Sequence, residues 1–221
     1  MTQFDFGRLI HFLSQRWDDV LVLVLQHIGV VAISLLVATI IGVGVGMLVW
    51  NREIPRSVVI SAAAVALTIP SLALLAVLIR PFGLGWTPTI IALIVYSLLP
   101  IVRNTVVGLR EVPDAVMESA KGMGMSKGRV LVAIQLPLAW PIILTGVRIA
   151  AQLTIGIAAI AAYVAGPGLG QYIFQGLSSL GSVNALNYAL TGTVFVVILA
   201  LLVDGAFVLV TRYTTSRGIR A

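Results

Sequence analysis

The sequence contains no cysteine, two histidines and eight acidic residues in 221 positions. Without cysteine, neither a disulfide framework nor a thiolate metal site is available. The histidines, His11 and His27, have no partner at helical metal-ligand spacing with an acid between them, so no metal site is expected. Apart from Asp204, the acids (Asp5, Asp18, Asp19, Glu53, Glu111, Asp114 and Glu118) fall in loops or near the termini. None forms an acid-base pair or stands beside a histidine-activated nucleophile, so no catalytic residue is expected and the chain is not read as an enzyme. A GxxxxGK[ST] phosphate loop is also missing. The run Gly166-Pro167-Gly168-Leu169-Gly170 lacks the lysine and follows no predicted strand, so it reads as a bend connecting spans or a re-entrant turn. The amino-terminal segment lacks a basic region followed by an apolar core and a small-residue cleavage site, so no removable signal peptide is expected. No repeat at a period of about 20 to 50 residues and no low-complexity linker interrupts the chain, which predicts one membrane domain over residues 1–221.

What is abundant is apolar surface. Hydrophobic residues make up 59% of the chain and charged residues 10%, and the mean hydropathy is +1.08. Soluble domains carry roughly 25% charged residues. The composition therefore predicts an integral membrane protein, and helices satisfy the backbone within lipid because their hydrogen bonds are internal. Five spans are expected, each near the length of about 20 residues that a bilayer requires. They run from about Leu23 to Val49, Val58 to Ile79, Thr89 to Val107, Trp140 to Val164 and Leu186 to Val210. Residues 1–20 place Phe4, Phe6, Leu9, Ile10, Phe12, Leu13 and Trp17 near helical spacing among polar neighbours, which predicts a short interfacial helix. In the first span Gly42 and Gly46 have small-xxx-small spacing, expected to serve packing within the chain. In the second, Pro70 beside Ser71 removes a helix hydrogen bond and should kink the span; with Pro100 in the third, these are the gating or translocation candidates.

The net charge of +6 is a topology signal. With residues 111–137 placed in the cytoplasm, the inner segments hold ten Lys and Arg against three outside, Arg8, Arg16 and Arg80. The positive-inside rule then puts the amino terminus outside and the carboxy terminus in the cytoplasm. No basic-aromatic module supports nucleic-acid binding.

Arg148 and Asp204 are charges inside spans, and such residues are functional candidates by default. Arg148 lies about eight residues into the fourth span and Asp204 about eight before Arg212, so each sits roughly 12 Å from the cytoplasmic end of its helix. Equal depth predicts a buried ion pair between them, acting as a structural staple.

The longest hydrophilic interruption is the 27-residue island Glu111 to Pro137. Helix connections usually take about 2 to 8 residues, and longer ones are usually functional. Asp114 is placed to cap a helix over Ala115 to Lys121; Gly122 and Gly124 permit a sharp turn, and Ser126 is placed to cap a second helix leading into Leu136-Pro137. Met117, Met123 and Met125 offer adaptable thioether contacts or ordinary helix packing.

Within the island, Glu118-Ser119-Ala120-x3-Gly124-x9-Ile134-x-Leu136-Pro137 resembles the EAA motif of ABC importer permeases, with Ser119 where alanine is usual. Thr68 to Leu75, Leu98 to Thr105, Gly122 to Met125 and Gly146-Val147-Arg148 are similar to permeases for glycine betaine, carnitine, choline and related osmoprotectants, and the resemblance extends over about Val22 to Gly176. It implies an all-α, type I importer permease fold of five transmembrane helices in the plasma membrane, with the island as the surface that couples to a cytoplasmic ATPase. It implies as partners a second permease chain, identical or homologous, two ATPase subunits that bind ATP and Mg, and an extracytoplasmic substrate-binding protein. No cofactor is expected in this chain. A permease for amino acids such as methionine is an alternative, and a stand-alone secondary transporter or channel is the competitor from another class. The latter would be expected to carry a line of midplane ionisable groups.

Overall fold

The computed structural model describes residues 6–215, and among them the chain is helical without a strand. Phe4 and Asp5 of the expected interfacial segment and Arg217 and Arg220 of the basic tail lie outside the described residues. The first helix, α1 (Phe6–Gln15), is separate from α2 (Trp17–Val49), as the switch from mixed to continuous apolar sequence predicts. Then come α3 (Glu53–Thr68), α4 (Ser71–Phe82) and α5 (Trp86–Arg110). The island forms α6 (Asp114–Gly122) and α7 (Lys127–Val130), which passes through a wider turn at Leu131–Gln135 into α8 (Leu136–Ala161). The short α9 (Gly170–Ser178) and the long α10 (Ala185–Thr214) complete the chain.

Three helices, α2, α5 and α10, and the run Lys127–Val164 are each long and apolar enough to cross a membrane; α3 and α4 supply a fifth span if counted together. The second span departs from expectation. Pro70 interrupts it outright instead of kinking it: α3 stops at Thr68, and Pro70 takes an extended conformation (φ −57°, ψ 134°) ahead of α4. Proline has no N–H to donate and disfavours helical geometry in the residue before it, so both sides of the helix stop there.

The chain packs as two compact units. One takes in the chain up to Leu36, Ile69–Ile94 and Ala151–Val203. Its core gathers Phe12, Leu23, Leu169, Tyr172 and Tyr188, and separately Val30, Leu93, Ile155 and Ala158. Phe12, Tyr172 and Tyr188 stack edge to face, with ring centroids 4.7 Å apart for Phe12–Tyr188 and 5.0 Å for Tyr172–Tyr188, and the Arg16 guanidinium lies 5.2 Å from the Tyr188 ring. Edge-to-face rings and a cation over a ring face are the favoured geometries for an aromatic quadrupole.

The other unit takes in Val37–Thr68, Val95–Ala150 and the chain from Asp204. Its core is built from Val49, Val102 and Val106, and from Leu109, Ala139 and Ile143. Glycines set how closely these helices approach. A Cβ on Gly42 would come within 2.7 Å of Ile101, and one on Gly46 within 2.6 Å of Thr105, so this pair packs α2 against α5 inside the chain. The crossing between α8 and α5 is equally close, and there a Cβ on Gly146 would meet the Asn104 Cβ and the Pro100 carbonyl at 2.6 Å. A backbone carbonyl cannot rotate away as a side chain can. Gly146→Ala should therefore force the helices apart at an overpacking cost of about 1–3 kcal/mol, seen as a lower melting temperature of the purified chain in detergent; an unchanged melting temperature would show that the crossing tolerates the methyl.

Candidate functional site

The island places its polar residues on the outside and a small residue within. Glu118, Ser119 and Gly124 are exposed, Ala120 is fully buried, and Ile134 and Leu136 are half-buried, with Pro137 exposed. The spacing of the motif has a physical origin in how α6 ends. Met125 N–H donates to the Ala120 carbonyl at 3.2 Å and Gly124 N–H to the Lys121 carbonyl at 2.9 Å. This pair of bonds, six-to-one around five-to-two, is a Schellman stop, and it requires a left-handed residue four positions after the first acceptor. Gly124 supplies it at φ +76°. Ala120 and Gly124 are therefore two ends of one device that turns the chain sharply behind Glu118.

The caps differ in detail from the sequence expectation. Asp114 is the first residue of α6, not its cap: Pro113 occupies that position, with its fixed φ of −59° and no side-chain hydrogen bond. The Asp114 carboxylate instead lies in the first turn, where it faces the positive end of the helix dipole. Ser126 does stand at the cap position of α7, in extended geometry, but its hydroxyl makes no capping bond. Ser119, the departure from the usual alanine, donates its hydroxyl to the Ala115 carbonyl at 2.8 Å. The extra polar group is satisfied within its own helix, which is why the substitution is accommodated. Ile134 lies in the wider turn Leu131–Gln135, a local π-helical geometry found often at functional positions.

Deeper in the same unit, Arg148 Nε donates to Asp204 Oδ1 at 2.6 Å and Nη2 to Oδ2 at 2.5 Å, tying α8 to α10 by a two-pronged ion pair. The two charges pair as expected but the pair is not buried within the chain: the side chains are 41% and 36% exposed, because the pair lies on the outer side of the seam between the helices and not inside the chain's core. Nearer the chain end, Trp140 Nε1 donates to Thr214 Oγ1 at 3.1 Å across the same antiparallel helix pair. Composition alone could not find that contact. In the other unit Gln152 Nε2 donates to the Ala200 carbonyl at 3.2 Å, and here a signal existed: Gln152 is one turn beyond Arg148, and Ala200 one turn before Asp204.

Residues 38–215 match the family of binding-protein-dependent transport system inner membrane components. The chain belongs to this family. It is a transport permease subunit and a multi-pass protein of the plasma membrane. The permease is 34% identical over 212 residues to the choline transport system permease protein OpuBB of Bacillus subtilis, with 96% of each chain covered. It is 34% identical over 216 residues to the osmoprotectant import permease protein OsmW of Salmonella typhimurium, covering 96% of this chain and 99% of that one. The carnitine transport permease protein OpuCD of Listeria monocytogenes is 38% identical over 179 residues, covering 81% of this chain and 79% of that one. Among solved structures, the permease superimposes on a chain of the inward-facing MetNI methionine ABC transporter with TM-score 0.78 at 24% identity, over 89% of this chain and 96% of that one. That likeness establishes the type I importer fold.

The remaining candidates of the permease are dispersed. Pro70 is exposed and Ser71, half-buried, opens α4. Pro100 is buried within an uninterrupted α5, where its carbonyl accepts a hydrogen bond from Asn104 Nδ2 at 2.8 Å. The glycine-rich bend, placed as a connection by its sequence, closes over His27: Gly168 N–H donates to Gln26 Oε1 at 3.3 Å, and a Cβ on Gly168 would come within 2.8 Å of His27. His27 is fully buried with Nε2 3.1 Å from the Ile155 carbonyl.

Proposed function

We propose that this chain is the membrane-crossing permease subunit of an ATP-driven importer for osmoprotectants of the quaternary ammonium type, such as glycine betaine, carnitine, choline or proline betaine. The observation that carries the mechanism is the island: a short polar helix, stopped by Gly124, that presents Glu118 outward. Such a rigid projection suits docking by a separate cytoplasmic ATPase, with Glu118, Ser119, Ala120, Gly124, Ile134, Leu136 and Pro137 forming the coupling surface. The substrate class is supported by the names of relatives that align over most of this chain. In this reading the amino terminus is outside and the island and carboxy terminus are cytoplasmic, as the Lys and Arg distribution favours. Two permease chains form the pathway, two ATPase subunits bind ATP and Mg, and a binding protein delivers substrate. ATP and the loaded binding protein drive the cycle because each discriminates between the inward-facing and outward-facing states; a ligand that binds both equally shifts neither. Pro70, Ser71 and Pro100 are the candidates for movement along the path, and the Arg148–Asp204 pair is a staple that travels with α8 and α10.

Proteoliposomes holding the complete complex, with binding protein outside and ATP inside, should accumulate labelled glycine betaine or choline and not labelled methionine. Methionine accumulation would transfer the reading to an amino-acid permease. Accumulation without ATP would overturn the importer mechanism itself. At the island, Glu118→Ala should weaken co-purification of the ATPase subunits; unchanged association would assign the dock to other island residues.

A further inference from the structure

The unit that contains the island also contains a cavity of about 420 Å³, walled by the end of α2, by α6, and by α7 with the turn that follows. Three cationic residues line it, Arg52, Lys121 and Lys127, and no carboxylate does. None of the three is in an ion pair with a described carboxylate. The rest of the wall is largely apolar: Trp50 and Leu48 come from α2 and the residues just after it, Met117 from α6, and Leu131 from the wider turn. The cavity lies where a span ends. Leu48, in its wall, is 75% exposed and Ile54, just beyond Arg52, is 78% exposed, so apolar surface flanks the cavity.

A free phosphate would answer the cations and leave the apolar wall empty, whereas an apolar chain alone would leave three cations unanswered. An amphiphile with a negative headgroup answers both, and basic pockets between helices at a membrane boundary are suited to such headgroups. We propose that this cavity binds an anionic phospholipid, its phosphate held by Arg52, Lys121 and Lys127 and an acyl chain lying along Trp50 and Leu48. Because Lys121 lies in α6 and Lys127 begins α7, the lipid would tie the island to the membrane beside it. The inference stands apart from the identity of the transported substrate.

Trp50 serves as the probe. The full-length chain is reconstituted with acyl-brominated phosphatidylglycerol or brominated phosphatidylcholine at equal mole fraction, and the fluorescence of Trp50 is isolated by subtracting a Trp50→Phe variant. The phosphatidylglycerol should quench Trp50 at least about twofold more strongly. Lys121→Gln with Lys127→Gln, or Arg52→Gln alone should the double variant fail to fold, should abolish that preference. Arg129→Gln, an island cation outside the cavity, should leave it intact. Equal quenching by the two lipids would overturn the proposal, as would displacement of the preference by soluble glycerol phosphate at a concentration comparable to the lipid's, which would mark a site for the anion alone. Loss of the preference on adding the ATPase subunits would identify an acidic surface of that partner as the occupant and likewise overturn it.

Discussion

Gly124→Val should insert normally into the membrane yet lose most ATP-driven uptake. Gly124 sits at φ +76°, and a Cβ built there meets nothing within 4 Å, so the penalty is purely one of backbone conformation. A side-chain-bearing residue held in the left-handed region costs about 1–3 kcal/mol, and a β-branched one is the least tolerated. Because position 124 itself faces open space, the chain can relieve that strain by abandoning the Schellman bonds from Met125 to Ala120 and from Gly124 to Lys121. The direction of α6 and the presentation of Glu118 would then be lost while the spans remain. If the strain falls on the docked state, it corresponds to roughly a 5- to 150-fold loss of coupling. The measurement is uptake in proteoliposomes beside the ATPase rate of the same preparation. Gly124→Asn supplies the control, since asparagine enters the left-handed region readily, and it should retain most uptake. Normal uptake by the valine variant would remove the coupling role from this turn.

The second large effect is expected at the two-pronged pair. Arg148→Asp sets two carboxylates against each other and Asp204→Arg sets two cations, in segments that otherwise face apolar surroundings. Each single reversal should lower the yield of folded, membrane-inserted protein by at least about tenfold, because an uncompensated charge at this depth is costly. The double reversal should recover the yield, since the two groups approach within 2.6 Å on adjacent helices and the exchange keeps both charges matched. Arg148→Lys should recover less than the arginine protein, because an ammonium cannot reproduce the paired donation from Nε and Nη2. Uptake separates two roles. Recovery of yield and uptake together in the double variant identifies a staple. Recovery of yield alone identifies charges that also face the transported substrate, and failure of both shows that the pair is not interchangeable.

Much of this was legible from residue order because lipid imposes a strict rule on backbone polar groups. Apolar runs of sufficient length had to be helices, and α2, α5, α8 and α10 lie where those runs lie. The Gly42 and Gly46 spacing foretold a close helix crossing, and the Ala120-x3-Gly124 spacing encodes a helix stop whose bonds follow from chain geometry alone. Two local expectations failed for equally local reasons. Proline at 113 took the cap position from Asp114, and proline at 70 ended a helix that the apolar pattern alone would have continued.

By itself, then, the sequence determined the class, the four continuous spans and the island, because each depends on interactions between residues near one another in the chain or between a residue and its solvent. Tertiary structure alone decided that the Arg148–Asp204 pair, expected from depth, engages both prongs, that Trp140 meets Thr214, and that Arg52 joins Lys121 and Lys127 around one cavity. The physical reason is that helical periodicity gives the direction of a side chain around its own axis, whereas the rotation and register of one helix against another arise from packing. Here glycines such as Gly46 and Gly146 set that packing by bringing helices within reach of contact.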